Sequence, residues 1–462
     1  MRYYMLSELR IVSPNGHLGF APTKEESFRI AAATRPDYYC CDSGSDDIGP
    51  AALGSDRSVS MYEWQKHDLE LMLLAAREQG VPMLVGSAGD CGTDSRVDMF
   101  VQIIRDLAAE HRLPPFKLAY FYSEVGTGDL RSRMDRGVVF EGLDGRSDLT
   151  AEDLEGTTRA VAVAGVHPFL EALRGGADVI IGGRSSDCAV FAAPAIHEGF
   201  PPEHAYYLGK VLECASFCAE PYGAKESVIG TITHEDVKVT AMAPHQRCTV
   251  ASVAGHAMYE RSNPHDEYFA GGRLDMSDCR YEQYDERTTR ITGQRYVPVD
   301  GDVKVKIEGS AWMGEKFIGV AGIRDPYTIS NIDTVLDLVR GEVAAQFGGI
   351  DYRLNFRVYG KNGVMGDLEP VTEITSHELC VLVEGIAPTR ELAESVTLMG
   401  TRQIFYARLP EVKGTAGTAA FVVDEVLPAS PAYAWSINHT VPVGDPMELF
   451  TLKIVDVDGT AR

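Results

Sequence analysis

The chain has no apolar run approaching the ~18 residues a membrane helix needs, no excess of positive charge and no C-x-x-C pair. The first absence excludes a spanning helix. The second excludes nucleic acid and anionic membrane as partners, because both require basic patches. Lys and Arg number 43 against 67 Asp and Glu, for a formal net charge of −24. The third excludes a zinc ribbon or a thioredoxin-like redox motif. The nine cysteines are scattered, and Cys214 and Cys218, which would share a helix face, read as small buried hydrophobes. The opening stretch meets Glu8 and Arg10 before any signal-peptide core could form, so a cytoplasmic protein is expected.

Familiar cofactor signatures are missing too. Gly86, Gly89 and Gly92 have G-x-x-G-x-x-G spacing rather than G-x-G-x-x-G, and no G-x-x-x-x-G-K-[ST] loop occurs. "VGSAG" lacks the leading glycine of a nucleophile elbow, and "HEDVK" is not H-E-x-x-H. No nucleotide cofactor is therefore expected.

What is present is a chain of 462 residues with 45% hydrophobic content, enough for more than one domain. Over the first 200 residues, strand-like runs such as "DYYCCDS", "VPMLVGSAGD", "FKLAYFYSEV" and "ADVIIGG" alternate with helical patterns. One helix, "EWQKHDLELMLLAAREQG", closes on Gly80. Another, "SRVDMFVQIIRDLAAEH", starts with Ser95 and Asp98 at capping-box spacing. The fold class expected is α/β, a mainly parallel sheet with flanking helices. Residues 228–325, including "CTVASVAGHAMYE", read as a β-rich section. A helix up to "GGID" then marks a boundary near 348. The remainder, 349–462, is β-β-α-β material suited to a small ferredoxin-like α+β domain.

Ligands in open parallel sheets gather at the carboxyl ends of the strands. Four such ends carry glycine, hydroxyls and carboxylates: "CDSGSDDIGP", "GSAGDCGTDS", "YSEVGTGD" and "GGRSSDC". Together they suggest one binding cleft. Arg184 is the leading candidate to grip an anion bidentately, with Gly183 and Ser185 beside it and Ser45, Asp46 and Ser87 supplied by neighbouring loops. The alternative is an arginine paired with a carboxylate from another loop. Asp90 and Asp187 are candidate acid–base groups, and His167, in "AGVHP", a candidate base. Converging aspartates, with Asp47 among them, could also hold Mg²⁺. Cys91 and Cys188 lie near helix starts but read as inert thiols. Glu213 sits on an apolar helix face and, if buried, needs a partner or a role. His256 and Tyr259 share that ambiguity.

At these residues the chain resembles the acyclic terpene utilisation (AtuA-like) family. The matching stretches include "PDYYCCDSGSDDIGP", "VPMLVGSAGDCGTDSRVD", "GADVIIGGRSSDCAVFAAPAI", "VAGHAMYE", "LDMSDCRYEQYDERTTRITG" and "GIRDP". The C-terminal part, with "SINHTVPVGDPMELF", resembles the smaller ferredoxin-like domain attached to, or encoded with, members of that family. The first loop departs from the family in reading Asp46-Asp47 where a Thr-Asp pair is expected. The resemblance implies catabolism of branched or acyclic acids and carries no assigned catalytic residues. The function expected is a lyase, a hydro-lyase or carbon–carbon lyase, acting on a small polycarboxylate or branched acid or its coenzyme A thioester. The alternative is a non-catalytic binding or scaffold subunit of a catabolic complex. Expected partners are that small organic acid or acyl-CoA and further copies of the chain, with a small accessory subunit as an option.

Overall fold

The computed structural model describes residues 6–299, 301–414, 417–421 and 426–460. They form two compact units, one of Met1–Ala311 with Trp435–Arg462, the other of Trp312–Ala434. The boundary read from the sequence, near 348, falls between the helix Ile332–Phe347 and the strand Arg353–Tyr359, both in the second unit.

The first unit is organised by a ten-stranded sheet. At its centre Glu8–Ser13, Tyr38–Gly44, Met83–Asp90, Val179–Gly182 and Phe116–Tyr122 lie side by side in parallel. Their apolar residues alternate between two cores, as the period-2 geometry of a strand demands. Tyr38, Cys40, Leu84 and Ile180 face one layer of helices, which includes Ala189–His197 and Pro202–Leu212. Tyr39, Cys41, Met83, Val85 and Ile181 face the other, with Tyr62–Gln79 and Asp94–Glu110. A sheet covered on both faces needs near-continuous apolar strands, and these have them.

The flanks differ from expectation. Val228–Thr233 pairs antiparallel with Glu8–Ser13, and Val237–Ala241, Thr288–Thr292 and Arg280–Gln283 extend that edge. Thr451–Val457 closes the opposite edge, antiparallel to Phe116–Tyr122. Four neighbouring pairs are parallel and five antiparallel, so the sheet is partly rather than mainly parallel. The reason is that part of the β-rich section adds to the sheet edge by antiparallel pairing, which needs no crossover helix.

Two local expectations are also corrected. "CTVASVAGHAMYE" contains the helix Val250–Ala257, not a strand. Thr249 and Ser252 form a reciprocal cap there, and alanines at 251, 254 and 257 favour helix. Ser95 does not cap its helix, which begins at Asp94. Its hydroxyl donates to Asp56 at 2.6 Å, and Asp98 accepts from Tyr122. Arg159–Val163 lies outside the parallel sheet and pairs antiparallel with residues 306–310 of the long strand Val303–Ile323.

In the second unit the strands run in the order Arg353–Tyr359, Leu379–Ala387, then residues 312–323, with Ala420–Phe421 and Leu427–Pro428 pairing to the last of these. Among the described residues, these pairings are antiparallel. The helices Ile332–Phe347 and Arg390–Tyr406 pack on the sheet through Val339, Val343, Val396 and Ile404. The sequence reading of "TAAFVVDEVL" as a strand falls partly on residues 422–425, outside the described residues.

The strand Thr451–Val457 is preceded by Phe450, whose ring meets Phe121 edge-on at 6.2 Å. Truncation of a buried Phe leaves a cavity that costs about 3–5 kcal/mol. Phe450→Ala is expected to lower unfolding free energy by about that amount, measured by urea titration, with the denaturant slope unchanged.

Candidate functional site

The loops after the central strands meet at one place, and Gly92 and Gly183 make that approach possible. A Cβ on Gly92 would lie 2.1 Å from the Arg184 nitrogen, and Gly92 has a φ of +62°. A Cβ on Gly183 would lie 2.5 Å from the Ser123 hydroxyl oxygen. The Arg184 amide donates to Gly92 O at 3.1 Å and to Ser123 Oγ at 2.8 Å. Ser87 Oγ accepts from the Ser185 amide and from Arg184 Nη1, both at 3.2 Å. Three strand-end loops are thereby tied together through backbone and hydroxyl groups.

The anion that Arg184 grips is internal. Its Nε and Nη2 donate to the two oxygens of Glu308 at 2.9 and 3.3 Å, and both side chains are almost wholly buried. Nη1 reaches Asp187 Oδ1 at 3.3 Å. Lys306 adds a second cation to Glu308 at 2.9 Å. Glu308 arrives because residues 306–310 pair with Arg159–Val163, while Ala164 donates its amide to Arg184 O. In sequence Glu308 lies on the polar side of the alternating "VKVKIEG", which reads as solvent-facing. No local pattern announces that this side meets an arginine.

Beside this pair opens a cleft of about 1070 Å³, lined by Ser45, Asp47, Arg184, Ser186, Asp187 and Cys188 on one side. Lys210, Glu213, Glu260, Arg261 and Glu267 form its polar end, and Tyr268, Phe269, Val297, Pro298 and Trp435 give it apolar walls. Of the candidates read from the sequence, Ser45, Asp47, Arg184, Asp187, Cys188 and Glu213 line this cleft. Ser87, Gly183 and Ser185 are fully buried behind Arg184. The side chain of Asp46 lies outside the described residues.

Asp90 is buried and engaged. Its carboxylate accepts from Ser60 Oγ at 2.5 Å and the Ser60 amide at 2.9 Å, and contacts His17 Nε2 at 2.8 Å. Burial opposes its ionisation, but these hydrogen bonds hold its pKa below the ordinary value. His167 begins the helix His167–Arg174 and is not among the lining residues. Burial, with the Arg174 charge, lowers its pKa. Asp42, which sequence reasoning passed over, is buried behind Arg184, and its Oδ1 has no hydrogen-bond partner. Burial and the nearby Asp187 charge push its pKa well up, against the pull of Arg184.

The polar end of the cleft holds a second buried pair. Lys210 and Glu213 sit one turn apart at the close of the helix Pro202–Leu212 and form an ion pair. Glu213 Oε2 also accepts from the Cys188 thiol at 3.0 Å. Burial pushes Glu213 up to about 7, with Lys210 opposing and Asp187 and Glu267 adding to the rise. Burial works against the Lys210 charge, but Glu213 and Glu267 raise its pKa overall. The need for a partner that the sequence signalled at Glu213 is met by Lys210, itself legible as a lone cation in an apolar helix. The thiols behave as inert groups, Cys91 pushed up to about 11 by burial and Cys188 well above its usual value.

Among the described residues, one group of three side chains has metal-ligand spacing: Glu70, Glu110 and His111. None of them lines the cleft. Asp47, Asp90 and Asp187 do not form such a group. Among those residues, too, no helix is long and apolar enough to cross a membrane.

The family model for acyclic terpene utilisation family protein AtuA matches residues 9–435. The chain belongs to that family. The match runs through the loops that converge on Arg184, through Glu308, and on through the second unit of this AtuA-family chain. No curated protein and no solved structure matches it at a significant level.

Two outcomes follow from the paired charges. Removing one partner of a buried ion pair leaves an uncompensated charge and typically costs about 3–5 kcal/mol. Arg184→Met is expected to lose that much stability by denaturant titration, and Arg184→Met combined with Glu308→Leu much less. Asp90 has a folded-state pKa below its unfolded value. Its contribution is therefore complete above the unfolded value of about 3.9 and is lost as pH falls through the folded one. Ser60→Ala removes one hydrogen bond to the carboxylate, so acid unfolding followed by circular dichroism should move to higher pH.

Proposed function

We propose that this AtuA-family protein is a catabolic lyase, acting on a small branched organic acid or polycarboxylate or its coenzyme A thioester. The observation that carries the reading is Glu213, buried with Lys210 at the polar end of a cleft large enough for such a molecule. A carboxylate whose pKa lies near neutrality is suited to take a proton from carbon and return it. In a hydro-lyase step Glu213 removes the proton beside the carbonyl, and the electron pair moves toward the carbonyl oxygen. The Lys210 ammonium offsets the charge that develops there. Glu213 then passes that proton to the departing hydroxyl, which leaves as water, while the Asp187 carboxylate, 36% exposed in its side chain and opening onto the same cleft, accepts a hydrogen bond from the hydroxyl and orients it. The apolar walls, Phe269, Val297 and Trp435 among them, suit a branched hydrocarbon segment. In this reading Arg184 positions Asp187 and the loops, while Asp90 and Ser87 brace the strand ends.

Family membership supports the catabolic part of the reading, through acyclic terpene utilisation. Within it we place the protein in the cytoplasm as a homo-oligomer. The antiparallel order of the second unit, with a helix crossing after each of two strands, supports a ferredoxin-like description of that unit.

The test is turnover of branched acids and their thioesters followed by mass spectrometry. Glu213→Gln should lower turnover about 10²–10⁴-fold, the range a positioned general base contributes, while the fold is retained by circular dichroism. Equal turnover in wild type and variant would sink the assignment. Ligand-induced stabilisation without any turnover by the wild type would favour a binding subunit instead.

A further inference from the structure

Arg184 cannot serve as a simple anion clamp while Glu308 occupies its fork, so a substrate acid needs another anchor. The polar end of the cleft contains a buried guanidinium with one donor left over. Arg261 is nine-tenths buried, and its Nη1 makes no hydrogen bond. Its Nε forms an ion pair with Glu267 Oε2 at 2.8 Å, and its Nη2 bonds Ala257 O. His256 Nε2, beside Arg261 and Lys210, is a second atom without a hydrogen-bond partner. A buried polar atom without a partner is costly, and a guanidinium donor left over beside such an imidazole nitrogen marks a place where something polar belongs.

The surrounding charges say what it is. Arg261 and Lys210 both converge on Glu267, at 2.8 and 3.9 Å. His256 stays neutral, because burial and these two cations push it down to about 3. Glu213 and Glu260 are both pushed toward their protonated forms, chiefly by burial. Lowering the negative charge of those two carboxylates leaves the cations of this end less fully matched. The Nη1 donor with no partner is a guanidinium donor, which favours an oxyanion.

We infer that Arg261 is the anchor for a free carboxylate of the substrate, held at the polar end of the cleft beside Glu213. This rests on the organic-acid reading above and narrows it: the substrate carries a carboxylate in addition to the carbonyl beside which the proton is removed. Arg261 reaches the cleft from the segment between the helix Val250–Ala257 and the strand Asp266–Phe269. That segment and the strand after it thus supply the cleft with both a cation, Arg261, and an apolar side chain, Phe269.

The probes are 3-methylglutarate and, as an uncharged analogue, 3-methylpentane-1,5-diol, titrated calorimetrically into the full chain. The wild type is expected to bind the diacid and not the diol. Arg261→Met should weaken diacid binding at least tenfold, and Arg261→Lys should lie between, with the melting temperature of each unliganded variant checking the fold. If Arg261→Met does not fold, the wild type is labelled with phenylglyoxal and mapped by peptide mass spectrometry. Labelling of Arg261 should then slow severalfold in the presence of the diacid. Unchanged diacid affinity in Arg261→Met overturns the anchor, as does protection of other arginines without Arg261. Either result, together with lost turnover in Glu213→Gln, leaves the lyase reading standing. A wild type that binds none of 3-methylglutarate, succinate and citrate overturns both.

Discussion

The buried contact between Arg184 and Glu308 is the constraint on which the centre of the first unit depends. Two ions taken out of water are costly unless each is fully hydrogen-bonded, and here the pair is met from several sides. Meeting those demands requires the turn after Val179–Gly182 to lie against Gly92, Ser123 and Ser87 at once. It also requires the strand carrying Glu308 to sit beside Arg159–Val163. The polar geometry therefore fixes how the loops are placed, and the apolar cores on either side of the sheet supply the stability to hold it.

The cleft shows two buried cation–carboxylate pairs with different consequences. Glu308 binds two cations and lies under a guanidinium with good geometry, so its charge is spent on structure. Glu213 shares its one close lysine with other carboxylates, and burial leaves its proton affinity near neutrality. The same kind of contact thus serves as a fixture in one place and as a proton-exchanging group in the other. The balance of desolvation against partner charge decides which.

Much of this was legible in the residues. The parallel centre and its helices followed from apolar runs and spacing, and the Gly-rich turns marked where the loops would meet. Arg184 stood out because a fixed charge after an apolar strand must find an anion. That the anion would be Glu308 was not readable, because it lies 124 residues away on a strand whose pattern looks solvent-facing. The helix Val250–Ala257 was read as strand because its β-branched and small residues lack a clear helical period, although its Thr249 and Ser252 cap was there to be seen. Arg261 and Glu267 flank a short turn with no motif at all. Their importance comes from long-range packing, which spacing along the chain does not encode.

The first unit is interrupted, since the chain leaves it after Ala311 and re-enters at Trp435. Phe116–Tyr122 is made early, yet its outer backbone edge pairs with Thr451–Val457, which is synthesised long after it. During synthesis that edge is an open template of unpaired amides and carbonyls on an aromatic strand, able to pair with the same strand of another nascent chain. The second unit, complete in one continuous stretch, is free to fold during that interval. The order in which the ribosome delivers the pieces thus makes the closing strand a checkpoint: a product stopped before it has both a sheet edge and an apolar surface left open to aggregation.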